Sequence, residues 1–209
     1  MKTQVFYVSE KILIEAIRHL YPDKIKQKDY EYPVSIYVKR IFEKHYNKHY
    51  QITFELNTGH QGQNRPLSLT ADETVKILRH YLKENTDIDF GLAPIGQNEK
   101  FEGYAYPFQV KRFIGFSKEN YLKELAEFIR KKSNHYRSLE TSLIIIPEFS
   151  LSKKDISKAK MTEFSEEFYK TLAKQIRLDK PALRSILLFS IKSETYSLTQ
   201  IWPNYGEYK

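Results

Sequence analysis

Between residues 142 and 147 the chain reads Ser-Leu-Ile-Ile-Ile-Pro, an apolar run with no alternation of polar and apolar positions. A strand with one wet face alternates, because successive side chains point to opposite sides. A continuous run this short is instead the mark of a strand buried on both faces. Such a strand needs neighbours on both edges and cover on both faces, so the rest of the chain must supply a sheet and helices packed against it.

It does so in a mixed order. A short strand-like Gln4 to Val8 precedes Ser9, which reads as a helix cap, and Ile12, Leu13, Ala16, Ile17 and Leu20 recur at helical spacing. Residues 23–33 read as a charged connecting loop. Pro33 suits the first turn of a second helix, whose face comprises Val34, Tyr37, Val38, Ile41, Phe42 and His45. From Tyr50 the period changes to two: Tyr50, Ile52, Phe54 and Leu56 form one side, Gln51, Thr53 and Glu55 the other, the pattern of a half-buried strand. Residues 57–69, rich in Gly, Asn and Gln, read as an exposed loop. Thr70 and Glu73 have capping-box spacing ahead of a helix to about residue 84. Ile88, Phe90 and Leu92 then alternate with Asp87, Asp89 and Gly91, and after a turn-rich stretch a long strand covers 104–116, so the two read as a hairpin. Ser117 caps a helix with Tyr121, Leu122, Leu125, Phe128 and Ile129 inward. After the buried run come a lysine-rich loop, a helix carrying Phe164, Phe168, Leu172 and Ile176, and two strands joined by a turn at 192–195. Helices and strands intermixed along one chain define an α/β class with a mixed sheet flanked by helices. The 209 residues are read as one domain.

Composition narrows the partners. Lys and Arg number 34 against 26 Asp and Glu, a formal charge of +8, which favours polyanions such as nucleic acid. There is no Cys, so disulfides, thiolate zinc sites and a thiol nucleophile are excluded. The apolar runs are too short to span a bilayer, and Ser9, Glu10 and Glu15 interrupt what a signal peptide would keep apolar. The expectation is a cytoplasmic chain with no membrane partner.

One constellation carries chemistry. Nineteen residues separate Asp89 from Gln109, enough for two strands and a loop that bring Asp89 beside Gln109 and Lys111, which share a strand face. A carboxylate, an amide oxygen and a main-chain carbonyl supply part of the octahedral oxygen shell of Mg²⁺, with water completing it. An ammonium one strand step away orients a water or offsets charge on a phosphate.

With "DIDFG" followed by "QVKRF", these residues resemble the PD-(D/E)XK nuclease superfamily, in particular its Mrr-like restriction endonuclease branch, where Gln often replaces the acid before the lysine. The resemblance covers about residues 31–148. It implies a restriction-endonuclease-like core of helix, three strands, helix and strand, with a helix at 70–84 inserted, an N-terminal helical addition (1–30) and a C-terminal helix and strand hairpin (149–209). It further implies that Asp89 and Gln109 bind Mg²⁺ or Mn²⁺, joined by the carbonyl of Val110, and that Lys111 serves catalysis of phosphodiester hydrolysis, with DNA as the expected substrate. The first-helix Glu of many members corresponds to Glu31 or Glu43, and Glu31 is preferred for its place at the helix start.

The remaining polar groups have simpler readings. Glu73 is a capping partner, Asp87 a turn residue or second acid, and Arg112 a surface or phosphate-contacting group. His45 and His49 lack a third zinc ligand. Lys131, Lys132, Lys153, Lys154 and the loop residue His60 are candidates for touching phosphates if they border the site. Two other functions stay open: a nucleic-acid-binding module of the same fold without chemistry, and a protein-interaction domain. A homodimer or partner subunit fits any of the three.

Overall fold

The computed structural model describes residues 2–20, 31–58, 70, 72–76, 89–95, 106–135, 141–154, 156–161, 163–176, 183–192 and 195–208. The chain divides into two compact units, Met1–Pro107 and Phe108–Lys209.

In the first unit, strands β1 (Lys2–Val8), β2 (Tyr50–Thr58) and β3 (Phe90–Pro94) pair antiparallel, β1 with β2 and β2 with β3. Helices α1 (Glu10–Leu20) and α2 (Glu31–Tyr46) accompany them. Ser9 starts α1, its hydroxyl accepting from Ile12 N at 3.4 Å. Asn47, at φ 50°, ends α2 in the left-handed conformation that Asn tolerates better than most residues. Tyr32, Val34, Ser35, Ile36, Val38 and Phe42 are buried on α2, whereas His45, expected inward, is exposed. The early turns of α2 are therefore covered on more than one side, and the last turn projects into solvent. The capping box forms as its spacing predicts: Thr70 N donates to Glu73 Oε2 at 2.8 Å and Glu73 N to Thr70 Oγ1 at 3.3 Å, with residues 72–76 helical.

In the second unit, β4 (Tyr106–Gly115, entering from the first), β5 (Ser142–Phe149) and β7 (Ser185–Lys192) run parallel, β5 in the middle. Strands β8 (Thr195–Trp202) and β9 (Gly206–Tyr208) continue antiparallel, and the two-residue β6 (Lys160–Met161) pairs with the end of β5. The parallel steps are made through α3 (Tyr121–His135) and α4 (Glu166–Gln175), and successive crossovers of one hand in one direction put both helices on one face. That face holds the core: Phe113, Leu143, Ile145, Ile186 and Leu188 from the strands meet Tyr121, Leu125, Ile129, Tyr169 and Leu172 from the helices. Ser165 caps α4, accepting from Phe168 N at 3.2 Å. Residues 142–148 are all buried, as the apolar run requires. The class is α/β, with a mixed sheet in this unit and helices against it.

Candidate functional site

In the first unit Asp89 is buried at 7% exposure immediately before β3. In the β2–β3 register Gly91 faces Thr53 and Ala93 faces Gln51. Asp89, at a bend just ahead of the strand, has the parity of Gly91 and Ala93, which share a face with Thr53 and Gln51. The opposite face carries Tyr50, Ile52 and Leu92 and receives α2: the Phe42 ring lies 6.0 Å from Tyr50, and Glu43 Oε1 accepts from Tyr50 N at 2.9 Å. There, burial together with Tyr106, Tyr46 and Glu43 pushes the Tyr50 phenol up to about 12.

The polar side of β2 is not the solvated face that its alternation predicts. Thr53 is 1% exposed, and Thr53 Oγ1 and Gln51 Oε1 are both shut off from solvent with no hydrogen-bond partner among the described residues. Each such orphan costs about 1–3 kcal/mol. Sequence reasoning passed over these two; the signal was that they share parity, through the register, with Asp89, with a side-chain-free glycine opposite Thr53. The donor set on this face is a carboxylate, a hydroxyl and an amide oxygen, all hard oxygens of the kind Mg²⁺ takes. No group of three or more Asp, Glu, His or Cys converges among the described residues.

In the second unit Gln109 and Lys111 lie on β4. Register partners in a parallel pair share a face, and Gln109 pairs with Leu143, Lys111 with Ile145 and Phe113 with Pro147. Gln109 and Lys111 therefore lie on the helix-covered face, in line with Phe113, whose ring is 5.3 Å from those of Tyr121 and Phe128. Gln109 is 1% exposed and Lys111 half-buried, so neither is a solvated surface residue. Val110, also buried, points to the other face.

Arg112, read from the sequence as a surface or phosphate-contacting group, shares that other face and is engaged by a carboxylate. Its Nε donates to Glu148 Oε2 at 2.8 Å, and its Nη2 is bound to the same oxygen. The Arg112 and Glu148 side chains are 16% and 3% exposed, a buried ion pair across β4 and β5. Glu148 carried no sequence signal, being the penultimate residue of an apolar strand.

Glu31 opens α2, and its side chain lies outside the described residues, as do Asp87 and His60. Glu43 is engaged structurally, with Lys39 Nζ donating to Oε2 at 2.8 Å in addition to the Tyr50 bond. Lys131, Lys153 and Lys154 are exposed; Lys132 lies with its ammonium 5.6 Å from the Phe128 ring centroid. No helix among the described residues is long and apolar enough to cross a membrane. No protein-family model matches the chain, and neither curated proteins nor solved structures give a match.

Proposed function

We propose that the chain is a metal-dependent, nuclease-like protein of the restriction-endonuclease-like kind, hydrolysing phosphodiester bonds in nucleic acid, with DNA the expected substrate. The observation that carries this reading is the burial of Asp89 immediately before β3 and of Gln109 within β4, with Lys111 one strand step beyond Gln109. Polar groups are costly to bury and persist where they are paired or used. The order α2, β2, β3, β4, α3, β5 is also the order that the PD-(D/E)XK resemblance implies. In this reading, as the resemblance implies, Asp89 and Gln109, with the Val110 carbonyl, would be the residues to hold Mg²⁺ or Mn²⁺, which when bound would supply Lewis acidity toward the phosphate. Lys111 offsets charge on the phosphate and orients the attacking water, and its partial burial strengthens that effect relative to bulk water.

The test is cleavage of plasmid, linear duplex, single-stranded DNA and RNA with Mg²⁺ or Mn²⁺, by the wild type beside Asp89→Ala and Lys111→Ala. The expected result is loss of about 10²-fold or more in each variant, with the circular dichroism spectrum unchanged. A wild type that binds these substrates and cuts none of them sinks the reading. It would favour a second one, a binding module without chemistry, which is supported by the amide at Gln109 where an acid would serve and by the lack of an acidic cluster among the described residues.

A further inference from the structure

At the other end of β4 and β5, the second unit carries a groove that the proposed chemistry does not use. Phe149 is the register partner of Gly115, which lies six residues beyond Gln109, about 20 Å along the strand. Phe149 and Lys118 border two adjoining cavities, one of about 770 Å³ and one of about 240 Å³. The smaller is walled by aromatic rings: Tyr121, Phe149, Phe164 and Phe168, the last two stacked at 4.2 Å with 13° between their planes. The larger opens beside Leu151, which is 90% exposed, and among the described residues it is rimmed by Lys118, Lys158 and Lys160 with the carboxylate of Glu163. Lys118 Nζ stands 6.0 Å from the Phe149 ring centroid, so positive charge sits over the aromatic floor. The loop that forms the wall is tied down: Ser150 N donates to Gly115 O at 3.0 Å, and Lys154 N to Ser152 Oγ at 3.2 Å.

We infer that this groove binds single-stranded nucleic acid, its lysines taking phosphates and its rings taking unpaired bases. An acyl chain would fill the apolar floor but gives three ammonium groups nothing to neutralise beyond one headgroup. A duplex presents phosphates but keeps its base faces stacked inside. A single strand offers charge and flat apolar rings in alternation, and base–aromatic contacts are largely indifferent to sequence. The inference does not rest on the nuclease reading, since its residues are separate and it needs no metal.

The experiment is fluorescence anisotropy of a labelled oligothymidylate with EDTA present, titrated across a range of salt. The wild type is compared with the triple variant Lys118→Gln/Lys158→Gln/Lys160→Gln and with Phe149→Leu. Removing three phosphate contacts is expected to flatten the log–log salt slope by about 2. Loss of the Phe149 ring is expected to weaken binding about 5-fold or more. If Phe149→Leu does not fold, the triple variant decides alone, since all three lysines are exposed. The inference is overturned by an unchanged slope in the triple variant, by equal affinity for a matched duplex, or by capture on anionic phospholipid vesicles with no binding of the oligonucleotide. Because EDTA suppresses metal-dependent cleavage, the result stands apart from whether the chain cuts.

Discussion

Each unit ties charges across its elements, and the two do it in different surroundings. In the first, Glu10 of α1 meets Arg40 and Lys39 of α2 at 2.5 and 3.1 Å, and Lys39 also reaches Glu43, all at a partly wet surface. In the second, Arg112 and Glu148 are paired inside the sheet. The surface network resembles what solvent would provide anyway, so each of its links is worth about 1 kcal/mol or less. The buried pair has given up hydration on both sides, so it adds little beyond an apolar pair of the same shape and yet is costly to break. Distance is similar in both places; dielectric and alternatives are what differ.

The sharpest way to break this contrast is Glu148→Ala, which removes the carboxylate and leaves the guanidinium inside. A loss of about 3–5 kcal/mol in urea unfolding is expected, and the paired replacement Arg112→Met/Glu148→Leu should restore most of it. If Glu148→Ala costs no more than a change at Glu10, the distinction fails. Gly115→Ala asks how firmly the strand beneath the pair is held. A Cβ there would stand 2.4 Å from two carbons of the Tyr121 ring, whose hydroxyl donates to Glu148 O at 2.9 Å. The ring must move, and a cost of about 1–3 kcal/mol is expected from denaturation midpoints.

Glu10→Gln should have the smallest effect, within about 1 kcal/mol, and should fade at high salt where Glu148→Ala does not. Its pH dependence has a definite sign. Burial pushes the Glu10 carboxyl up, but hydrogen bonds and charge from Arg40 and Lys39 outweigh it and hold the group below its ordinary 4.5. A carboxyl lowered in the folded state adds stability above its unfolded pKa and loses it as pH falls through the folded one. Comparing midpoints near neutrality and in acid, the gap between wild type and Glu10→Gln should close on the acid side.

The same contrast explains what could be read from the chain and what could not. Lys39 and Glu43 are four apart on a helix, so their contact follows from local geometry. The Thr70–Glu73 box, the buried stripe Tyr121, Leu125 and Ile129, and the β7–β8 pair at 185–202 are legible for the same reason, each being set within a few residues. Arg112 and Glu148 are 36 positions apart and meet only through the β4–β5 register, which no local pattern encodes. Alternation correctly separated Gln51 and Thr53 from Tyr50 and Ile52. It could not show that the polar side is also covered, because burial is decided by what packs on a face and not by the strand that owns it. Asp89, Gln109 and Lys111 stood out as polar breaks in apolar strands, while their depth depended on that same tertiary cover.

The central place of β5 has a consequence for how the protein is made. Its two parallel neighbours lie on either side of it in sequence, so while synthesis proceeds from the N-terminus β4 is available to pair with it and β7 is not. Some forty residues of chain separate Leu143 from its partner Ile186. Until that length has left the ribosome, the most apolar strand of the molecule has one open edge, the kind of surface that recruits other chains. The interval between those two strands is when this protein is most exposed to aggregation, and it ends only with the arrival of residues 185–192.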